Sequence, residues 1–268
     1  MKNARRYCYG PFQSRRLGLS LGIDILPRSK VCTYNCVYCE IGHTKPDYLV
    51  SPEYRVQDPP SSTFQKELKS RFEYTTTLNS ITFGYNGEPT LNENIIDFLE
   101  IAKEERDKID WRHGEPKLTL FTNSSTLYSK KIRDRVKNFD LILAKLDAGN
   151  DDDFKRINCP HKDVPSLETI IDSLVKLKEE MPKENKLAIQ CLICDSYKED
   201  FISNNNDRNI SDLAHAFKKI KPNLIQVYSI ARMPANYFVF SIDDERKSEI
   251  VSIFRGIIND DKIEIKYY

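Results

Sequence analysis

Apolar and polar positions alternate along this chain in blocks. Six short apolar runs, many of them β-branched, span Leu19–Leu26, Ser80–Gly84, Lys117–Thr122, Leu141–Asp147, Leu187–Cys194 and Leu224–Ile230. Between and after them lie polar segments whose apolar residues recur at helical spacing, near Ser62–Phe72, Glu93–Asp107, Ser129–Lys137, Ser166–Glu180, Ile210–Ile220 and Asp243–Ile258. Six β-then-α units in succession predict a parallel sheet with helices outside it. Strands covered on both faces read as nearly continuous apolar runs, as these do. Lys262–Tyr268 alternates and predicts a seventh strand at the sheet edge. Asp151–Asp153 and Ser203–Asn209 are polar and read as surface loops. The pattern runs from end to end, so one domain is expected over residues 1–268: α/β, a barrel or an incomplete one of about six units. A doubly wound open sheet shows the same alternation, and periodicity does not separate the two.

Composition narrows the class. With 40% hydrophobic and 30% charged residues the chain reads as a soluble globular protein. A formal net charge of +1 gives no global attraction for nucleic acid or an anionic membrane. No apolar run approaches the ~18–20 residues of a membrane helix. The basic start has no apolar stretch behind it, so no signal peptide and no membrane are expected, and a cytoplasmic location is. Seven cysteines there read as thiols or metal ligands rather than as a disulfide framework. Arg5, Arg6, Arg15, Arg16, Arg28 and Lys30 make the first 30 residues locally basic. That cluster is either a solvated face or a site for phosphate, including RNA, or for a carboxylate.

Sites in parallel βα architectures lie at the carboxyl ends of the strands. After the first run comes Cys32-Thr-Tyr-Asn-Cys36-Val-Tyr-Cys39, three thiols within one short loop. Thiolates are the usual iron–sulfur ligands, and a cube held by three of them leaves its fourth iron open. A structural zinc site wants four protein ligands, which Cys8 or His43 would have to complete. The other strand ends carry Gly84–Thr90, Asn123, Lys145 with Asp147, Gln190 with Cys194, and Gln226 with Tyr228. Lys145 and Asp147 share a face. Two opposite charges closing an apolar strand are costly unless paired, solvated or used. They are read either as an ion pair partly exposed at the barrel mouth or as catalytic groups, Lys145 meeting a carboxylate and Asp147 a substrate or ribose. Cys159, Cys191 and Cys194 offer thiols for an auxiliary cluster. Cys191 and Cys194 fall on opposite strand faces, however, and cysteine is a common buried small hydrophobe.

With the cysteine loop after the first strand, the sequence resembles the radical S-adenosylmethionine (SAM) superfamily. Further matching blocks are Gly10-Pro-Phe-Gln-Ser-Arg-Arg-Leu-Gly18, Gly87-Glu-Pro-Thr90, Ala144-Lys-Leu-Asp-Ala148, Arg156-Ile-Asn158 with Pro160-His161, and Ile225-Gln-Val-Tyr228. They point to a branch related to the wyosine-forming tRNA enzymes. Cys159 and the residue before Arg232 depart from that branch's pattern. Only Cys8 precedes the loop, which counts against the second cluster of the tRNA enzymes. The resemblance implies a partial (β/α)6 TIM-type barrel with an N-terminal extension, about residues 1–18, packed on it. It implies a 4Fe–4S cluster on Cys32, Cys36 and Cys39 and SAM across the strand ends against Gly87, Glu88, Asn123, Lys145, Gln190 and Tyr228, with Tyr38 against adenine. It also implies an external one-electron donor of flavodoxin or ferredoxin type. The activity implied is reductive cleavage of SAM to a 5′-deoxyadenosyl radical that takes hydrogen from a small molecule or a modified RNA base. Two alternatives stand beside it: an iron–sulfur or zinc module without turnover, and a wyosine-type tRNA synthase.

Overall fold

A computed structural model describes residues 6–268. Arg5 and the other residues of 1–5, counted above in the N-terminal extension and basic cluster, lie outside the described residues. The strands are β1 (Cys8–Ser14), β2 (Gly18–Ile23), β3 (Ser80–Phe83), β4 (Lys117–Thr122), β5 (Leu141–Lys145), β6 (Lys186–Leu192), β7 (Cys194–Ser196), β8 (Leu224–Tyr228), β9 (Val239–Ser241) and β10 (Glu264–Tyr267). The helices are α1 (Ser62–Tyr74), α2 (Ile95–Arg106), α3 (Lys130–Val136), α4 (Asp151–Asn158), α5 (Leu167–Glu180), α6 (Asp207–Ile220) and α7 (Asp244–Ile258). Eight strands form one sheet in the order β1-β2-β3-β4-β5-β6-β8-β10. All neighbours are parallel except β1, which runs antiparallel to β2. The edge strand expected at the C-terminal end is β10, and β7 pairs with β9 in a separate short ribbon.

The helices decide between the two architectures left open by periodicity. Phe64, Phe98, Ile132, Leu174, Phe217 and Phe254, from six helices, join one core with Ile81, Leu120, Ile142, Ile189 and Ile225. These strand residues share one face of the sheet, so the helices cover that face. The other face packs on itself: Leu141, Leu143 and Ala188 meet Leu17, Phe121 and Leu224. Curvature follows from a second contact. Arg16, in the β1–β2 turn, lies 4.2 Å from the ring centroid of Tyr228 on β8. Five strand spacings separate β2 from β8 in the sheet, about 24 Å if it were flat. The sheet is therefore curled into a partial barrel, open between β1 and β10.

Three segments depart from the sequence expectation. β1 was not foreseen, because Gly10 and Pro11 interrupt its alternation and its register shifts between Tyr9 and Phe12. Its start is pinned by the Glu67 carboxylate, which accepts from Tyr7 N at 2.9 Å and Cys8 N at 2.8 Å. Its Tyr9 ring occupies the space where a Cβ on Gly22 would stand, 2.0 Å away. Asp151–Asp153, expected as a surface loop, opens α4: Asn150 caps it, accepting from Asp153 N at 3.0 Å, and the acidic first turn suits the helix dipole. Ser203–Asn209 is likewise no plain surface loop. Asn206 caps α6 there, while Asn204 and Asn209 are fully buried.

Candidate active site

The cysteine loop leaves β2 and crosses the carboxyl ends of its neighbours. It meets the loop after β3 through Val31, whose carbonyl accepts from Glu88 N at 3.0 Å. Gly87 is required at this crossing. Its φ is +130°, and a Cβ would lie 1.7 Å from the Val31 carbonyl oxygen. Thr33 meets the loop after β4, sharing a hydrogen bond with Ser125 at 2.7 Å. Val37 N donates to Ile157 of α4 at 2.9 Å. The loop is thus fastened by three successive strand ends.

Each cysteine sulfur accepts a hydrogen bond from a different place. Asn123 Nδ2 donates to Cys32 at 3.5 Å, Asn158 Nδ2 to Cys36 at 3.4 Å, and Lys30 Nζ to Cys39 at 3.2 Å. Burial pushes the Cys32 thiol up to about 11 and raises that of Cys36 further. As free thiols both are neutral near pH 7, so a metal must displace their protons. Among the described residues, no group of three or more His, Cys, Asp or Glu side chains converges as the ligands of one metal ion would. A cube needs no fourth protein ligand, whereas a structural zinc takes four. The donor set therefore fits a cube better than a zinc ion. Auxiliary-site candidates disperse: Cys191 packs in the helix-side core, while Cys194 sits against Val37 and Leu192 with Cys159 at the margin of that cluster.

On the inner face, beside this loop, lies a charged group. Asp147 is 2% exposed and its Oδ1 lies 2.9 Å from Lys145 Nζ. The same oxygen accepts from Leu192 N at 2.8 Å. Oδ2 accepts from the Tyr38 hydroxyl and from Asn158 Nδ2 at 3.1 Å. Lys145 Nζ donates to the Tyr228 hydroxyl at 2.6 Å and lies within 4.8 Å of the ring centroids of Tyr38 and Tyr228. Burial alone would lower the Lys145 pKa, but Asp147 and Tyr228 outweigh it and hold the ammonium above its ordinary value. Burial, and then Asp147, keeps the Tyr38 phenol well above its usual range. Gln190 and Gln226, each 1% exposed, bond one another at 3.0 Å on the same inner face.

One expectation is corrected here. The Lys145–Asp147 pair is not at an exposed rim: the carboxylate is buried because the Asp147 backbone is itself braced. Its carbonyl accepts from Asn204 Nδ2 at 2.9 Å and Asn209 Nδ2 at 3.4 Å. The Glu88 carboxylate is hydrogen-bonded within the chain. Oε1 accepts from Thr90 N at 3.1 Å, Thr90 Oγ1 at 2.6 Å and Thr122 Oγ1 at 2.8 Å, and Oε2 from Asn123 N at 2.5 Å. The side chain caps the 3-10 turn Pro89–Leu91 and ties it to β4. Asn123 is similarly committed to the loop, donating to Thr33 at 2.8 Å. Asn158, Asn204, Asn209 and Arg16 are the site residues to which the sequence assigned no individual role. Asn158 and Arg16 each had a signal, standing in matching blocks, and Arg16 also in the basic cluster. A separate cavity of about 630 Å³, lined by Asn35, Phe154, Lys155, Cys159, His161 and Lys162, opens outside the inner face and contains none of the Lys145 cluster.

Comparison with known proteins gives the site its context. The family model of the Radical SAM superfamily matches residues 26–203, from the cysteine loop through β7. The chain is 30% identical over 258 residues to UPF0026 protein MJ1312 of Methanocaldococcus jannaschii, covering 96% of this chain and 74% of that one. It is 27% identical over 249 residues to a UPF0026 protein of Helicobacter pylori, again spanning 74% of the relative. The crystal structure of Streptococcus suis SuiB bound to S-adenosylmethionine has the same fold, with TM-score 0.58 and 16% identity over 92% of this chain. This chain spans 50% of SuiB. Members of the superfamily are enzymes that use a 4Fe–4S cluster and SAM. By the extent of the family match and the likeness to its relatives, the chain belongs to the radical SAM superfamily.

Proposed function

We propose that the chain is a radical SAM enzyme acting through one 4Fe–4S cluster held by Cys32, Cys36 and Cys39. The observation that carries this reading is the set of three nitrogen donors, from Lys30, Asn123 and Asn158, aimed one at each sulfur. Donors of this kind suit thiolates that carry a cluster and tune its potential. When bound, the cluster supplies an electron that cleaves SAM to methionine and a 5′-deoxyadenosyl radical, which takes hydrogen from the substrate. The chain's own groups provide the site. Gly87 lets the two loops approach closely enough to form one wall. Tyr38 and Tyr228 flank Lys145 with flat apolar faces suited to adenine or substrate. The Lys145 ammonium offers a donor to a carboxylate, while Asp147, Gln190 and Gln226 offer polar contacts on the same face. Exclusion of water by this enclosed face protects a reactive intermediate. An external donor of flavodoxin or ferredoxin type supplies the electron, and a small molecule or a modified RNA base is the substrate. One continuous sheet supports reading residues 1–268 as a single domain, and a thiol-ligated cluster supports a cytoplasmic setting.

The ligand assignment is tested by anaerobic reconstitution with iron and sulfide. The parent should gain the visible absorbance of a cube, and Cys32→Ala, Cys36→Ala and Cys39→Ala should each lose it. Normal iron in the triple variant would sink the assignment, as would stoichiometric zinc in an anaerobic native preparation.

A further inference from the structure

Among the described residues, the cluster around Tyr228 on the inner face holds two cations, Lys145 and Arg16, and one paired anion, Asp147. Lys145 is matched by Asp147 at 2.9 Å. Arg16 has no acidic partner among the described residues, and its Nη1 is buried without a hydrogen-bond partner. The turn that carries it is held by other groups. Ser14 Oγ accepts from Arg16 N at 3.3 Å and Leu17 N at 3.2 Å, and Leu17 anchors in the inner apolar layer. The guanidinium is free of structural duty in this turn, yet it is held against the Tyr228 ring, 4.2 Å from the centroid. That ring's hydroxyl takes the Lys145 hydrogen bond, so Arg16 adjoins the cluster of candidate catalytic groups. Cation–π attraction offsets only part of the cost of a buried, unpaired charged donor. SAM brings no net negative charge to the face, since its sulfonium at least balances its one carboxylate.

We propose that Arg16 is the anion-recognition residue for the substrate, which carries a carboxylate or a phosphate group. The inference rests on the reading of the inner face as the active site. A guanidinium fixed on an aromatic ring presents a rigid fork that matches either oxyanion with two parallel hydrogen bonds. The substrate's anion then balances the charge of Arg16, and the fork sets which way the rest of the substrate points, toward Lys145, Asp147 and Tyr38.

The test is calorimetric titration of the cluster-loaded protein with saturating SAM and no reductant, using inorganic phosphate and, separately, acetate. At least one anion should bind saturably. Arg16→Gln should weaken that binding at least tenfold, and Arg16→Lys, which keeps the charge without the fork, should fall between. Binding of phosphate alone assigns a phosphorylated substrate, and binding of acetate alone a carboxylate. The proposal is overturned if neither anion binds, if Arg16→Gln binds as the parent does, or if SAM abolishes the binding. The last result would give Arg16 to the cofactor's own carboxylate. No turnover is involved, so this failure is distinct from a failure to cleave SAM.

Discussion

Asp147 concentrates the energetics of the site in one carboxylate. It has a charged partner in Lys145 and three neutral donors, from Leu192 N, the Tyr38 hydroxyl and Asn158. An exposed pair would contribute about 0–1 kcal/mol. This pair is different, because Asp147 is buried and Lys145 has a side chain only 16% exposed. Breaking a buried pair leaves one charge uncompensated and costs about 3–5 kcal/mol. Lys145→Met leaves the carboxylate facing neutral donors alone. Asp147→Asn turns an amide N–H₂ toward a donor already aimed at that place. Both variants should therefore lose about 2–4 kcal/mol in denaturant unfolding of the cluster-free protein, the surviving hydrogen bonds discounting the full penalty. Both should still take up iron but cleave SAM at least tenfold more slowly. Losses below about 1 kcal/mol in both would return the pair to the category of surface ion pairs.

The outer layer offers an element-level test with a defined pH sign. Arg133 on α3 forks to Glu180 at the end of α5, Nε to Oε2 and Nη2 to Oε1, each at 2.9 Å. Its remaining nitrogen, Nη1, donates to the Leu127 and Tyr128 carbonyls. The Arg133 bonds lower the Glu180 pKa. A lowered folded-state pKa contributes stability above the ordinary carboxylate range, and that contribution is lost as pH falls through the folded value. Glu180→Gln should cost about 1–2 kcal/mol at pH 7, and the gap to the parent should close as pH is lowered toward about 3. A gap independent of pH would show that the fork acts by packing rather than by charge. The strands were legible in the sequence because burial on both faces leaves continuous apolar runs, and most outer helices because their apolar residues recur at helical spacing. α4 was not, since eight residues with only Phe154 and Ile157 apolar carry too little periodicity and its signal lay in Asn150 and the three acidic residues after it. Within the site, the cysteines, Lys145 and Tyr228 were legible as chemistry gathered at strand ends. Asn158, Asn204 and Asn209 were not, because asparagine in a polar run reads as a turn and its burial is decided by distant segments. At Glu88 residue type gives a charge but not the hydrogen bonds that the carboxylate makes within the chain.

The whole molecule combines a curled sheet with near-zero net charge. Curling turns the polar ends of the inner face toward one another and brings the β1–β2 turn to β8, which is how Arg16 meets Tyr228. No helix among the described residues is long and apolar enough to cross a membrane. Forty-one Lys and Arg against forty Asp and Glu leave little counterion release for a long polyanion. Binding to bulk RNA should therefore be weak, with a log affinity against log salt slope shallower than about −5. A steeper slope would favour an RNA substrate over a small molecule. The most direct measurement is chemical: the cluster-reconstituted protein is given SAM and dithionite without oxygen, and 5′-deoxyadenosine is quantified. The account predicts 5′-deoxyadenosine and methionine in equal amounts from the parent and none from the Cys32, Cys36, Cys39 triple alanine variant. A parent that carries the full cluster and binds SAM yet forms no 5′-deoxyadenosine, or a triple variant that forms as much as the parent, would contradict it.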